Sequence, residues 1–237
     1  AQHQATPLRA DGVPLDNLKS KDRSVGAQRV NLDFLQRRDR ALSDELGGQT
    51  DIDAAVLNYQ LAQRMQDHLP RVLDIEAETP AVHRLYGFGS GDPQKERYAT
   101  HCLRARRLIE AGVRFIEIVT PPGFSGNGSW DQHGELKKGH EANCFIVDQP
   151  IAALICDLKS RGLFDETIIV IVGEMGRTPH STGRDGRDHH TSCFSAVVAG
   201  GGFKKGFAYG ETDEFGMSVV ENPVSVHDLH ATVLHQL

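Results

Sequence analysis

Five β-branched residues in succession, at positions 168–172, constrain the fold of this chain more than any other feature of its sequence. β-branched side chains pack well on the pleated surface of a strand. A run without polar residues is typical of a strand covered on both faces, as in a parallel sheet. The run is also far shorter than the roughly 20 apolar residues that a transmembrane helix needs. The sequence therefore predicts a buried strand over 167–173 and no membrane span.

Two further strands and two helices are predicted around this run. Residues 113–119 alternate between apolar and polar side chains, and residues 194–199 form a short apolar segment closed by three glycines. Helical spacing covers 94–111 and 140–161, and each of these helices is followed by a glycine that suits a C-cap. The order strand, helix, strand predicts a parallel sheet with right-handed crossovers, in which functional side chains gather at the carboxyl ends of the strands.

The first third of the chain has helical rather than alternating spacing. Its apolar positions fit helices over 15–46 and 51–67, and a turn-rich junction covers 85–93. We therefore expect a helical segment over residues 1–92 that packs on the core. The C-terminal part of an α/β domain is expected over 93–237.

The charge balance argues against a nucleic-acid-binding protein. With a formal net charge of −6, the chain lacks the basic surface that neutralises phosphates. The basic run Arg104-Ala105-Arg106-Arg107 lies in a helical pattern, and we expect a solvated helix face there. The four cysteines are widely separated without a CxxC pair, which argues against a disulfide scaffold or a zinc finger. We expect most of them to be small buried side chains.

Side chains typical of metal sites accompany each predicted strand. Residues 130–134 follow the first strand, 173–179 follow the second, and 186–190 precede the third. Imidazole nitrogens and carboxylate oxygens together suit Zn²⁺ and similar divalent ions. In an extended backbone, Asp131 and His133 project to the same side. The predicted metal ligands are Asp131, His133, Glu174, Asp188, His189 and His190.

Each of these groups also fits a structural role when it is taken alone. An Asp-x-His sequence is common in surface turns, and Glu174 can simply end a strand. Trp130, the only tryptophan, fits packing beneath the loop better than a place in a pocket wall. The occurrence of such groups at three predicted strand ends favours the metal site.

Two arginines flank the same loops. The guanidinium forks of Arg177 and Arg187 match phosphate or sulfate oxygens, which predicts an anion-binding role. Structural ion pairs to Glu174 or Asp185 explain these arginines equally well. On the last predicted helix, Asp228 fits a helix cap, and the neighbouring histidines fit exposed positions better than metal ligands.

Taken together, the motifs resemble a bacterial sulfatase-like family known as domain of unknown function 1501, which is placed within the alkaline phosphatase superfamily. The resemblance extends from about residue 30 to the end of the chain. Its motifs cover residues 110–115, 130–134, 157–163, 173–179, 186–189, 199–202, 210–213 and 228–234.

The resemblance implies an α/β fold with a parallel-sheet core of the alkaline phosphatase and sulfatase type, and a pair of metal sites over its carboxyl edge. One site would take Asp131, His133 and His189. Glu174 matches an acidic ligand of the second site, whereas Met175 stands where relatives carry a histidine ligand.

The resemblance also implies a nucleophile, a Ser, Thr or modified Cys, on an early strand together with one acidic ligand. No such strand is predicted before Leu15, so the nucleophile is unassigned and we expect the chain to be incomplete at its N-terminus. The last helix reaches Leu237 without a glycine cap, and the first residues lack the features of a signal peptide. Both features fit a chain that is cut at its two ends.

These features predict a metal-dependent hydrolase-like protein that acts on phosphate or sulfate esters and lacks its nucleophile strand. The alternative is a non-catalytic protein that binds a metal, an anion or a glycan, with the helices over 15–69 as a partner surface. The predicted cofactor is a divalent ion, Zn²⁺ first, with Ca²⁺, Mg²⁺ and Mn²⁺ also open. The predicted ligand is a small anionic ester or a sulfated or phosphorylated glycan, and the resemblance implies an exported or periplasmic location.

A Rossmann-type cofactor binder is disfavoured, because no G-x-G-x-x-G sequence follows a strand.

Overall fold

The computed structural model describes residues 6–16, 24–48, 50–120, 130–181 and 185–237. Within these ranges the α-helices are α1 (Val25–Glu45), α2 (Thr50–Val72), α3 (Pro80–Tyr86), α4 (Pro93–Glu110), α5 (Leu136–Ser160) and α6 (Val226–Gln236). The strands are β1 (Ile168–Ile171), β2 (Gly176–Arg177), β3 (His189–His190), β4 (Val197–Gly200), β5 (Glu211–Thr212) and β6 (Val219–Glu221). Short 3₁₀ helices cover Ile75–Ala77 and Phe164–Glu166.

The chain divides into two compact units. One comprises Ala1–Thr79 with Arg107–Val113, and the other comprises Pro80–Arg106 with Arg114–Leu237. All of the residues predicted to bind a metal or an anion belong to the second unit. That unit is therefore the one that positions the candidate site.

The first unit is built on an antiparallel pair of helices, α1 and α2. Gln28 donates a hydrogen bond to Gln66 at 2.6 Å, and Ser43, near the other end of α1, donates to Asp53 at 2.9 Å. The α1 helix starts at Val25, where the Ser24 hydroxyl accepts a hydrogen bond from a backbone N–H of the first turn. The predicted start near residue 15 is therefore wrong, since a cap residue fixes the first turn further along the chain.

Helices α3, α4 and α5 carry most of the buried side chains of the second unit. Tyr86, Leu103 and Leu158, one from each of these helices, have no exposed surface. The Arg106 guanidinium forms an ion pair with Asp157 at 3.0 Å, and the Tyr86 hydroxyl donates to the same carboxylate at 3.1 Å. Burial, followed by the neighbouring carboxylate, raises the pKa of Tyr86. A buried charge is tolerated only when it is paired and hydrogen-bonded, so this network links the three helices.

The predicted solvated face at the basic run of α4 is wrong. Arg104 is 7% exposed and Arg106 is 1% exposed. The third arginine of the run, Arg107, pairs with Glu78. Helical spacing was predicted correctly, but the acidic partners of Arg106 and Arg107 are far away in the sequence.

The predicted parallel-sheet core is also wrong. In the described part of the chain, each sheet has two strands and each pairing is antiparallel. The β-branched run does form β1, but it pairs with β4 in antiparallel register, Ile168 opposite Gly200 and Ile171 opposite Val197. Residues 113–119, which were predicted to form a strand, form no regular secondary structure.

The connection between β1 and β4 gives the physical reason for this correction. A parallel pair needs a crossover connection, usually a helix. Between these two strands, the described residues contain only the short β2–β3 hairpin, so the chain returns in the opposite direction. The strand is not covered on both faces either, because Ile171 and Val197 are 40% and 58% exposed.

The cysteines differ in their environments. Cys102 is buried in α4, and burial raises the pKa of its thiol to about 12. Cys144 and Cys156 are exposed, and Cys193 is half-buried, so the expectation that most cysteines are buried is wrong. Among the described residues, no helix is long and apolar enough to cross a membrane, as predicted.

Candidate metal centre

A hairpin made of two short strands, each of two residues, positions one half of the candidate site. Strands β2 and β3 place Gly176 opposite His190 and Arg177 opposite His189. Beyond the ladder, the Thr178 N–H donates to the Asp188 carbonyl at 2.9 Å, and the Asp188 N–H donates to the Thr178 hydroxyl at 3.1 Å. The backbone around Asp188 and His189 is therefore fixed from both sides.

The segment that leads into α5 supplies the other half. The Arg187 N–H donates to the Gln132 carbonyl at 3.0 Å, which attaches this segment to the residues just before β3. The close approach requires a glycine, because a Cβ on Gly186 would lie 2.1 Å from the carbonyl carbon of His133. Asp185 accepts the Glu135 N–H at 2.9 Å and so holds that residue in its left-handed conformation at the start of α5.

Trp130 and Gln132 anchor the same segment to α5. The Trp130 ring packs edge-on against the His140 ring, with centroids 5.5 Å apart. Gln132 is 2% exposed, and a Cβ on Gly139 would lie 2.6 Å from its side chain. The tryptophan thus packs against α5, in agreement with the packing role expected from the sequence.

These contacts bring Asp131, His133 and His189 into one group. Their potential ligand atoms all lie within 4.8 Å of one another. Oδ1 of Asp131 lies 3.0 Å from Nε2 of His133 and 3.0 Å from Nε2 of His189. All three side chains are close to half exposed, so the group opens directly to solvent.

His133 faces a carboxylate on each side of its ring. Its Nδ1 lies 2.9 Å from Asp188 Oδ1, while its Nε2 faces Asp131. A neutral imidazole carries one N–H and can satisfy one of these carboxylates. The second contact needs either another proton or a cation between the nitrogen and the oxygen.

Arg177 contributes positive charge beside the same group. Its guanidinium contacts Oδ1 of Asp131, and its other terminal nitrogen lies 3.4 Å from Glu174. The pKa of Asp131 is lowered, first by the hydrogen bond from His189 and then by Arg177. The carboxylate is therefore kept in the charged form that a metal ligand requires.

The remaining predicted site residues lie nearby in other roles. Glu174 contacts Arg177 and is not a member of the three-residue group. His190 Nε2 lies 2.9 Å from the Met217 carbonyl, and Arg187 donates to the carbonyl of Gly186 at 2.8 Å. Whether any of these residues binds a metal or an anion stays a prediction.

Three supporting residues were not identified from the sequence as parts of the site. Thr178 fixes Asp188, Gly186 permits the close approach to His133, and Asp185 holds the start of α5. The Asp-Gly pair at 185–186 is a common turn signal and marks the position of this contact.

The structure thus brings two imidazoles and one carboxylate into an exposed group that could hold a metal ion, with a second carboxylate and an arginine beside it. The chain belongs to the family described as Protein of unknown function (DUF1501), whose family model matches residues 1–237. The resemblance seen in the sequence motifs is thus confirmed at the level of the family. No curated protein and no solved structure matches the chain.

Proposed function

We propose that this protein binds a divalent cation through Asp131, His133 and His189 and acts as a metal-dependent hydrolase-like protein on phosphate or sulfate esters. The observation that carries the proposal is the convergence of three ligand atoms within 4.8 Å. Catalytic zinc sites take three protein ligands and keep a further position open for water or substrate. The exposure of all three side chains supports such an open position.

The donor set and its spacing both fit Zn²⁺. Around one tetrahedral zinc ion with bonds of about 2.0–2.1 Å, ligand atoms are separated by about 3.3 Å. The two separations of 3.0 Å between Asp131 and the histidines are close to that value. Two imidazoles favour Zn²⁺ over Ca²⁺ or Mg²⁺, which prefer oxygen ligands.

The chemistry proposed for the site follows from this arrangement. A bound Zn²⁺ would supply a water of lowered pKa and stabilise negative charge on a phosphoryl or sulfuryl oxygen. Arg177 and Arg187 offer guanidinium forks suited to the remaining oxygens of a tetrahedral anion. The resemblance to the alkaline phosphatase superfamily supports the choice of phosphate and sulfate esters as substrates.

One observation favours a second candidate function, binding without turnover. Thr178 carries the hydroxyl next to Arg177, but that hydroxyl accepts the Asp188 N–H and donates its proton to the His180 carbonyl at 2.9 Å. A hydroxyl engaged in this way serves the hairpin rather than acting as a nucleophile. The second candidate is a metal-dependent receptor for a sulfated or phosphorylated glycan.

Calorimetric titration with Zn²⁺ after treatment with a chelator tests the proposal. We expect the wild type to bind Zn²⁺, and His133→Ala and His189→Ala to weaken binding by more than the roughly 10- to 100-fold typical of lost outer-shell partners. The matched control is His230→Ala, which removes an exposed histidine of α6 and should bind as the wild type does.

Hydrolysis of p-nitrophenyl phosphate and p-nitrophenyl sulfate by the same samples separates the two candidates. Zn²⁺-dependent turnover that is lost in His189→Ala supports the hydrolase. Zn²⁺ binding without turnover supports the receptor. Absence of Zn²⁺ binding, or equal binding by all four proteins, would remove both.

A further inference from the structure

Asp188 lies beside the three-residue group but contacts it from the far side of the His133 ring. Its Oδ1 is 2.9 Å from Nδ1, whereas the ring nitrogen that faces Asp131 is Nε2. The two nitrogens of an imidazole point to opposite sides of the ring. A carboxylate held at Nδ1 is therefore poorly placed to share an ion with Nε2.

We propose that Asp188 is a positioning residue that selects the Nδ1–H tautomer of His133 and so presents the Nε2 lone pair to the cation site. The inference rests on the proposed metal site and assigns one residue a role within it. Which nitrogen of a histidine binds a metal is set by the hydrogen bond that the other nitrogen makes. A carboxylate at Nδ1 also raises the basicity of the ligating nitrogen.

The backbone supports this role. Asp188 is held by two hydrogen bonds with Thr178, one to its carbonyl and one from its N–H, immediately before the β3 strand. Its carboxylate is 50% exposed, and both the fixed backbone and the contact with the His133 ring constrain its position. The fixed backbone thus places the Asp188 carboxylate beside the His133 ring.

The charge of Asp188 contributes as well as its position. Asp131 and Asp188 place one carboxylate at each nitrogen of His133, at 3.0 Å and 2.9 Å. If the single proton of a neutral ring is donated to Asp188, the Nε2–Asp131 pair is left as two electron-rich atoms. A divalent cation between them turns a repulsive contact into two ligand bonds.

Histidine tautomers give a test that requires no bound metal. Long-range ¹H–¹⁵N correlation spectra of ¹⁵N-histidine protein, recorded with a chelator at mildly alkaline pH, distinguish the Nδ1–H and Nε2–H forms. The His133 signals are assigned by their loss in His133→Ala. We expect the Nδ1–H form in the wild type and a shift toward the Nε2–H form in Asp188→Ala. An Nε2–H form in the wild type, or no change in the variant, would overturn the inference.

Zn²⁺ affinity provides the second arm. We expect Asp188→Ala to weaken binding by about 10- to 100-fold. Asp188→Asn should recover part of this loss, because the carboxamide oxygen can still accept the Nδ1–H. Asp165→Ala removes an exposed carboxylate elsewhere and should leave the affinity unchanged.

The two arms distinguish the possible failures. An affinity in Asp188→Ala equal to that of the wild type overturns the positioning role. Equal losses in Asp188→Asn and Asp188→Ala overturn it as well, in favour of a direct ligand. If the wild type binds no Zn²⁺, the proposed function fails, while the tautomer measurement still decides whether Asp188 orients His133.

Discussion

The imidazole of His189 lies 3.0 Å from the carboxylate of Asp131, a residue 58 positions earlier in the chain. This contact joins the segment before α5 to the β3 strand and brings His133 into the same group. Both residues are about half exposed. Polar side chains that converge at a solvent-facing position contribute little to folding. Their convergence is the geometry on which the proposed metal site rests.

Removing the charge of Arg177 should strengthen Zn²⁺ binding rather than weaken it. The guanidinium contacts the same Asp131 oxygen that faces both histidines, so it competes with a cation for that oxygen. We expect Arg177→Gln to tighten Zn²⁺ binding by about two- to five-fold, the range of an exposed ion pair. Calorimetry measures this change, with Arg114→Gln as the exposed control. Weaker binding by Arg177→Gln would show instead that the arginine holds Asp131 in place.

Adding a single methyl group at Gly186 should disrupt the site. The new Cβ would lie 2.1 Å from the carbonyl carbon of His133. Because the clash is with backbone rather than with a flexible side chain, the segment around His133 would have to move. We expect Gly186→Ala to lower the free energy of unfolding by about 1–3 kcal/mol and to weaken Zn²⁺ binding. Gly134→Ala is the matched control, because no atom lies within 4 Å of its added Cβ. Thermal unfolding that is the same in the two variants would contradict the close approach.

The buried network among α3, α4 and α5 should be a main determinant of stability. Arg106 and Asp157 are 1% and 5% exposed, so removing either partner leaves a buried charge without compensation. We expect Asp157→Ala to destabilise the protein by about 3–5 kcal/mol in chemical unfolding. Asp165→Ala, an exposed change close to the same helix, should stay within about 0.5 kcal/mol of the wild type. A comparable small effect at Asp157 would mean that the network is not needed for folding.

The acid dependence of Asp131 follows from its lowered pKa. The His189 hydrogen bond, followed by Arg177, holds this pKa below the ordinary value of 3.8. A carboxyl whose pKa is lower in the folded state stabilises the fold above its unfolded value, and that contribution is lost as the pH falls through the folded value. We therefore expect Asp131 to titrate below pH 3.8 in an NMR titration of its carboxyl carbon. A midpoint at or above 3.8 would contradict the contacts with His189 and Arg177.

Local features of the sequence predicted the C-terminal ends of α4 and α5 well. Gly112 and Gly162 follow α4 and α5 with positive φ angles of +83° and +71°, as the predicted C-caps require. Asp228 was predicted to cap α6; the N-cap is Ser225, and Asp228 completes the capping box from the N3 position. These signals depend on neighbouring residues only, so they can be recognised without knowledge of the fold.

The sheet could not be predicted in the same way. The β-branched run at Ile168–Ile171 specifies an extended backbone but not the direction of its partner strand. That direction depends on the path of the chain between Ile171 and Val197, which passes through a hairpin too short to recognise by periodicity. The exposed Val170 and Ile171 at the end of β1 show that an apolar run alone does not establish burial.

The residues of the candidate site were predicted from their chemical types, but on the wrong scaffold. Asp131, His133 and His189 were expected to meet at the carboxyl edge of a parallel sheet, but an antiparallel hairpin and the start of α5 bring them together. The distinct position of Asp188, at Nδ1 of His133, depends on the orientation of a ring and is not encoded in local spacing.

X-ray absorption at the zinc edge of the Zn²⁺-loaded protein tests the central claim most directly. The account predicts a first shell of light N and O donors at about 2.0–2.1 Å, with outer-shell scattering from two imidazoles and with no sulfur. In His189→Ala the imidazole scattering should fall to that of one ring. A sulfur shell at about 2.3 Å, or an imidazole contribution unchanged by His189→Ala, would contradict the assignment of this site.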